Sequence, residues 1–493
     1  MKKMKKIVFI TLMIATGTIW AQTPQEEYEA WKKQAQGNYS RYRQQANDDY
    51  QAFRKKANDE YAEFMQSAWA RVRPQPPQKA PEEPKPPQPI VAPKEEPKPP
   101  EKIPYKEVTP LPEVKPVPDV PIPVPEMPVE KTLTVAYYGA TVVVHPPTGN
   151  PISLKSTKMG PVAKAWKQMS NGSCEALLAD CLNAKKTLAL GDWGYLQLLH
   201  TVAEKTVEGK DESTLLWHWL LAQSGYSSRL AVSGKDRLQI YVPFDALVFD
   251  HPFIELDDGL FFLINDSDDD DNELQVFDRA FPGENVASLR MTRQPNLEYS
   301  ACKQRTLTSK EYSSLSLQVT TNRNLIDYYG NYPKVAGSWD IYANASLSEN
   351  VKQQLYPRLR QKLSGLSELE KAERLLNWVQ TAFEYKTDEE QFGGERSLFA
   401  DESLYYPYCD CEDRSILFSI LVRDLLGLRV VLLHFPGHLA TAVRFSSSVD
   451  GDYLTLDDGR YIVCDPTYIG APVGLAMPQY KEQEVQIEVF TLE

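Results

Sequence analysis

The chain has 493 residues, a net charge of −13 and six cysteines. The length allows two or three domains. No basic block stands out, which argues against a nucleic-acid surface, and six cysteines over this length do not make a disulfide scaffold.

The chain opens "MKKMKKIVFITLMIATGTIWAQ". Lysines precede an apolar run, and the small residue Ala21 precedes Gln22, which is the pattern of a secretory signal over 1–21. The run is shorter than the roughly 20 apolar residues of a membrane span. No later segment is long and apolar enough to be one. The expectation is an exported protein, periplasmic or extracellular, with no transmembrane segment.

Residues 26–69 hold four units of eleven: "EEYEAWKKQAQ", "GNYSRYRQQAN", "DDYQAFRKKAN" and "DEYAEFMQSAW". In each, an aromatic follows Tyr by three and Ala follows that by four, which keeps one face of a helix apolar. The eleven-residue period predicts a nearly straight or right-handed supercoil. Such a stripe needs a partner, either a second copy or the globular part, so self-association through 26–69 is expected from this 22–72 segment. Residues 73–130 are proline-rich and read as a polyproline spacer reaching up to ~170 Å.

From 131 the composition is globular. "TLTVAYYGATVVVHPP" reads as two strands, 161–228 as mainly helical, 236–345 as strand-rich, and 346–383 as helical again. Cys174 and Cys181 in "CEALLADC" read as core thiols, about 10 Å apart on one helix. Cys302 has no evident role. The acidic run "NDSDDDDNE" fails the EF-hand template, with Asp271 where the loop needs Gly and Phe277 where it needs Glu.

Chemistry concentrates near "YPYCDCEDRS", 406–415. After Cys411 comes the apolar helix pattern Ile416, Leu417, Ile420, Leu421, Leu425, closed by Gly427. Cys411 therefore falls at a helix start, where unpaired backbone donors and the helix dipole favour a thiolate. "HFPGHLATAVRF" puts His438 at the start of a strand as its base. "GRYIVCDPT" puts Asp465 at the end of another as the group that orients the base. A zinc set of Cys409, Cys411, His434, His438 and Cys464 is the rival reading, although its spacing is irregular. A Cys409–Cys464 bridge is also left open.

The blocks "DCEDRSILFSILVRDLLGL", "GHLATAV" and "GRYIVCDPT" resemble the transglutaminase-like superfamily, cysteine enzymes with a papain-like fold and a Cys-His-Asp triad. The resemblance covers roughly 367–475 and includes the lead-in helix 367–383 followed by Tyr385. It implies Cys411 as nucleophile, His438 as base and Asp465 as acid, with no cofactor and no metal. It also implies an oxyanion donor just upstream, where Tyr405 and Tyr406 are the candidates, with Tyr408 nearby. The family's aromatic two residues after the histidine is Ala440 in this chain.

"LDDGLFFLIND" at 256–266 matches "LDDGRYIVCDP" at 456–466, a shift of 200 residues. The same shift lays the nucleophile helix on "DESTLLWHWLLAQSGYSSRLAV". It puts Asp211, Leu238 and Asn265 at the triad positions, which cannot run the chemistry. Residues 160–270 then read as a degenerate transglutaminase-like half. The full expectation is an α+β protein with a mixed domain over 131–345 and a catalytic domain over 346–493. Its partner would be a peptide or protein substrate, at whose amide bonds a cysteine peptidase, amidase or acyltransferase acts. The alternative is an envelope scaffold that keeps the fold without catalysis.

Overall fold

The computed structural model describes residues 24–67, 69–79, 88–93, 99–109, 117–123, 131–149, 152–265, 273–335 and 337–490. The proposed signal at 1–21, most of the acidic run and much of the proline-rich tract lie outside these. The chain divides at residue 56 into an N-terminal unit and a larger α+β unit. No helix among the described residues is long and apolar enough to cross a membrane.

The eleven-residue repeats form one helix, Pro24–Phe64. In the first unit the stripe stays in water: Tyr28, Trp31, Tyr39, Tyr42 and Phe53 are all exposed. The fourth repeat belongs to the larger unit, where Tyr61 and Met65 are buried while Phe64 stays exposed. The Tyr61 ring packs 4.8 Å from Trp166 and 4.9 Å from Phe277, and its hydroxyl lies 3.2 Å from His218 Nε2. At the C-terminal end of the stripe, Tyr61 is thus packed inside the larger unit.

Two six-stranded sheets organise the larger unit. The second runs Tyr453–Leu456, Gly459–Cys464, His438–Arg444, Arg429–Phe435, Val485–Val489, Tyr105–Thr109, antiparallel except for the last pair. The first runs Phe253–Leu256, Gly259–Leu263, Leu238–Val242, Arg229–Val232, Leu274–Phe277, Ala70–Val72, antiparallel throughout. The first four strands of each sheet correspond under the 200-residue shift, and the hairpins share a register: Leu256 opposes Gly259 as Leu456 opposes Gly459. At both turns the glycine takes a positive φ, 130° and 141°, a conformation that favours glycine. Each sheet is preceded by an apolar helix, Lys210–Gln223 in the first half and Cys411–Leu426 in the second.

The spacer reading of 73–130 changes where the tract is described. Tyr105–Thr109 adds an edge strand, Val91 bridges to Ile469 and Gln75 to Phe253, and Ile103 is fully buried beside Val431 and Leu433. Non-proline residues between the prolines keep their amide donors, which is what edge pairing needs. All six cysteines are buried free thiols, so Cys409 and Cys464 are not bridged. Burial pushes the Cys174 thiol up to about 12, as expected of a core thiol.

Glu488, on the strand Val485–Val489, carries a pH-dependent cost. Burial, and then the nearby Asp340 carboxylate, raise it from 4.5 to about 8. A carboxyl with a raised folded pKa contributes stability that is full below the unfolded value and is lost as pH rises through the folded one. The window is therefore about pH 4.5 to 8. Glu488→Gln is expected to match the parent in calorimetry at pH 4 and to be more stable by about 4 kcal/mol at pH 8. A stability difference that stays constant across that range would refute this assignment.

Candidate active site

Local signals position the three residues. Cys411 is the first residue of Cys411–Leu426, which is closed by Gly427 at φ 68°. Asp410 caps the helix, and the Asp413 side chain reaches back 3.3 Å to the Asp410 amide. As the first residue of the helix, Cys411 has an N–H with no intrahelical acceptor. His438 opens the strand His438–Arg444, directly opposite Phe435 across a tight turn at Gly437. Asp465 follows the strand Gly459–Cys464.

Packing brings them together. His438 Nε2 lies 2.8 Å from Asp465 Oδ2, with both side chains almost fully buried. Asp465 Oδ1 accepts from the amides of Thr467 (2.9 Å) and Tyr468 (3.1 Å), which fixes the carboxylate. With Nε2–H donating to Asp465, the other ring nitrogen carries the lone pair. That atom, His438 Nδ1, is buried and makes no hydrogen bond. Cys411 and His438 line the same cavity of about 70 Å³, together with Glu412, His434 and Leu439. Lys334, Val335, Trp339 and Tyr342 form another wall. The Cys411 thiol donates to Glu412 Oε2 at 3.1 Å.

The surrounding residues hold this frame. Tyr480 stacks on the His438 ring at 5.0 Å and 12°. Gln380 is buried and donates to the carbonyls of Asp465, Tyr468 and Ala471, while its own oxygen accepts from Gly470 N–H. Arg414 ties the nucleophile helix to the carbonyls of Gln380 and Phe383 at 3.1 Å each. None of these roles has a signature in the sequence, because each joins residues that lie far apart along the chain.

Other sequence expectations fare differently. Tyr405 and Tyr406 do not line the cavity: the Tyr405 hydroxyl accepts from Arg323 Nη1 at 2.8 Å, and the Tyr406 ring packs edge-on against Phe392. They sit on and just after the helix Ala400–Tyr405, whose C-terminal end is met by Arg305 at the Leu404 carbonyl and by Arg323 at the Tyr405 hydroxyl. The zinc set does not converge: among the described residues, no group built from Cys409, His434 and Cys464 brings its donor atoms within 4.8 Å. Burial pushes the Cys409 thiol up to about 12 even with Arg414 nearby, so it is a neutral packed thiol.

In the first half, the shifted positions also meet. Asp211 Oδ1 accepts from Leu238 N–H at 2.9 Å, and Asn265 Nδ2 donates to the Leu238 carbonyl at 3.2 Å. The geometry of helix start, strand start and strand end is repeated, with side chains that hold neither nucleophile nor base.

No family model matches this chain, and no curated protein matches it. The functional reading therefore rests on the geometry at Cys411, His438 and Asp465.

Proposed function

We propose that the chain is a cysteine enzyme of the transglutaminase-like type, acting at an amide bond of a peptide or protein through Cys411, His438 and Asp465. The observation that carries this reading is the His438–Asp465 pair at 2.8 Å, with Nδ1 left unpartnered in a cavity that Cys411 also lines.

His438 Nδ1 takes the thiol proton, and Cys411 Sγ attacks the amide carbon. The Cys411 backbone N–H, at the helix start, serves as the oxyanion donor in this reading. The imidazolium, held by Asp465, gives its proton to the leaving amine, the C–N bond breaks and a thioester remains. Water or a second amine then attacks the thioester, again deprotonated by His438, and Cys411 is released as thiol. In the resting state the Cys411 S–H donates to Glu412 Oε2 and must turn to His438 Nδ1 as the base engages.

The C-terminal half is read as the catalytic domain of papain-like fold and the first half as its degenerate copy, supported by the shared strand order and the meeting of Asp211, Leu238 and Asn265. Export through the 1–21 signal and self-association through the exposed stripe of the N-terminal helix complete the proposal.

A non-catalytic scaffold is the second reading. It is favoured by the closed site: Cys411 is 2% exposed and the cavity holds only about 70 Å³. Incubation with a glutamine-containing peptide pool and hydroxylamine separates the two. The enzyme reading expects hydroxamates or cleaved amides, with a thioester on Cys411 detected by mass spectrometry. No adduct on Cys411 at any pH from 6 to 9 (a span of about three units around the thiol range) would favour the scaffold.

A further inference from the structure

The helix Pro24–Phe64 carries Tyr28, Trp31, Tyr39, Tyr42 and Phe53 along one side, each between 46% and 73% exposed. Five rings of ~200 Å² each leave on the order of 600 Å² of aromatic surface in water on one chain. That is the upper end of the largest patch on a lone soluble protein, about 300–600 Å². Two such stripes laid together remove up to ~1,200 Å², which reaches the range of stable interfaces. A partner must also match the spacing. A helix with the same eleven-residue period stays in phase with the stripe over 28–53, whereas a seven-residue coil drifts off it. A second copy of this segment meets both conditions.

Charge decides how the two copies run. One position flanks the stripe on each side, roughly 65° from its midline at three turns per eleven residues. The position before the first aromatic of each repeat holds Glu27, Asn38, Asp49 and Glu60, and the position after the second holds Lys32, Arg43, Arg54 and Met65. One flank is therefore acidic and the other basic. Lys32, Arg43 and Asp49 are exposed, whereas Arg54 is buried and takes no part. In a parallel, in-register pair the acidic flank of each helix faces the basic flank of the other, five residues on. Glu27 then faces Lys32 of the second copy, and Asn38 faces its Arg43. In an antiparallel pair, flanks of one kind meet. Lys32 then faces Arg43 and Glu27 faces Asp49, each twice, and such like-charge contacts destabilise.

We infer that residues 28–53 pair with the same segment of a second chain as a parallel, in-register, two-stranded coil. This rests on the reading of the stripe as a self-association surface and adds the number of partners, their direction and their register. It does not depend on Cys411 chemistry.

The test is sedimentation equilibrium of the chain over 22–493, with disulfide trapping by Ala35→Cys and Ala46→Cys. Both alanines belong to the stripe, and the six native thiols are buried. The expected mass is twice that of one chain. In a mixture of the two single variants only 35–35 and 46–46 bridges are expected, because eleven helical residues span about 16 Å and a disulfide needs Cα atoms within ~7 Å. Lys32→Glu alone and Glu27→Lys alone should each weaken the dimer about tenfold, and the two together should restore it. A dimer trapped chiefly through mixed 35–46 bridges, a trimer or larger assembly, or charge variants that do not rescue one another would overturn this inference and leave self-association standing. A chain that stays monomeric up to ~100 µM would overturn both.

Discussion

Cys411→Ala is expected to lower amide cleavage or transfer by about 10⁴-fold or more, with His438→Ala close behind and the double variant no worse than either. The reason is that thiol and imidazole act as one unit: without the base the thiol stays protonated, and without the thiol the base has nothing to activate. Asp465→Asn tests the orienter separately. The amide can still bond His438 Nε2, but its NH₂ can donate where the carboxylate only accepted, which disfavours the tautomer with a lone pair on Nδ1. A loss of about 10²–10⁴-fold in kcat with little change in KM follows. The check is steady-state kinetics on whichever peptide gives hydroxamate. If Asp465→Asn loses less than threefold (about 0.7 kcal/mol), the carboxylate is structural rather than part of the unit.

Gln380→Ala is expected to destabilise the protein by about 3 kcal/mol and to lower activity as well. The side chain satisfies the carbonyls of Asp465, Tyr468 and Ala471 and the amide of Gly470. Ala would leave three buried carbonyls and the Gly470 amide without that partner and loosen the loop that aims Asp465. Gln391 provides the contrast: its Nε2 is buried but makes no hydrogen bond, so Gln391→Ala should fall within about 0.5 kcal/mol of the parent. Urea unfolding of the two variants measures the difference directly. Equal midpoints would show that the Gln380 contacts do not hold the loop.

Much of the candidate site was legible because its signals are local. An apolar helix that ends at Gly427 and begins at Cys411 follows from residue order alone, and so do a strand starting at His438 and one ending before Asp465. The "LDDG" pair was enough to align two halves that prove to share strand order and hairpin register. Nonlocal features were not legible. Gln380 grips a loop some 90 residues away, Tyr480 stacks on His438 from beyond the triad, and Tyr105–Thr109 joins the sheet from inside a proline-rich tract. Tyr405 and Tyr406 show how sequence nearness misses side-chain direction. Their nearness in sequence to Cys411 suggested a role at the thiol, but the end of the helix Ala400–Tyr405 and the turn after it carry them towards Arg323 and Phe392. The aromatic stripe could be read as a stripe, whereas the burial of Tyr61 at its end depended on the core that Tyr61 enters.

The most direct measurement is the site-resolved rate of iodoacetamide alkylation at each of the six cysteines as a function of pH, by mass spectrometry. An activated Cys411 labels at least about tenfold faster than Cys409 at pH 7, and loses that advantage in His438→Ala. Uniform slow labelling of all six thiols, unchanged by His438→Ala, would contradict a nucleophile at Cys411.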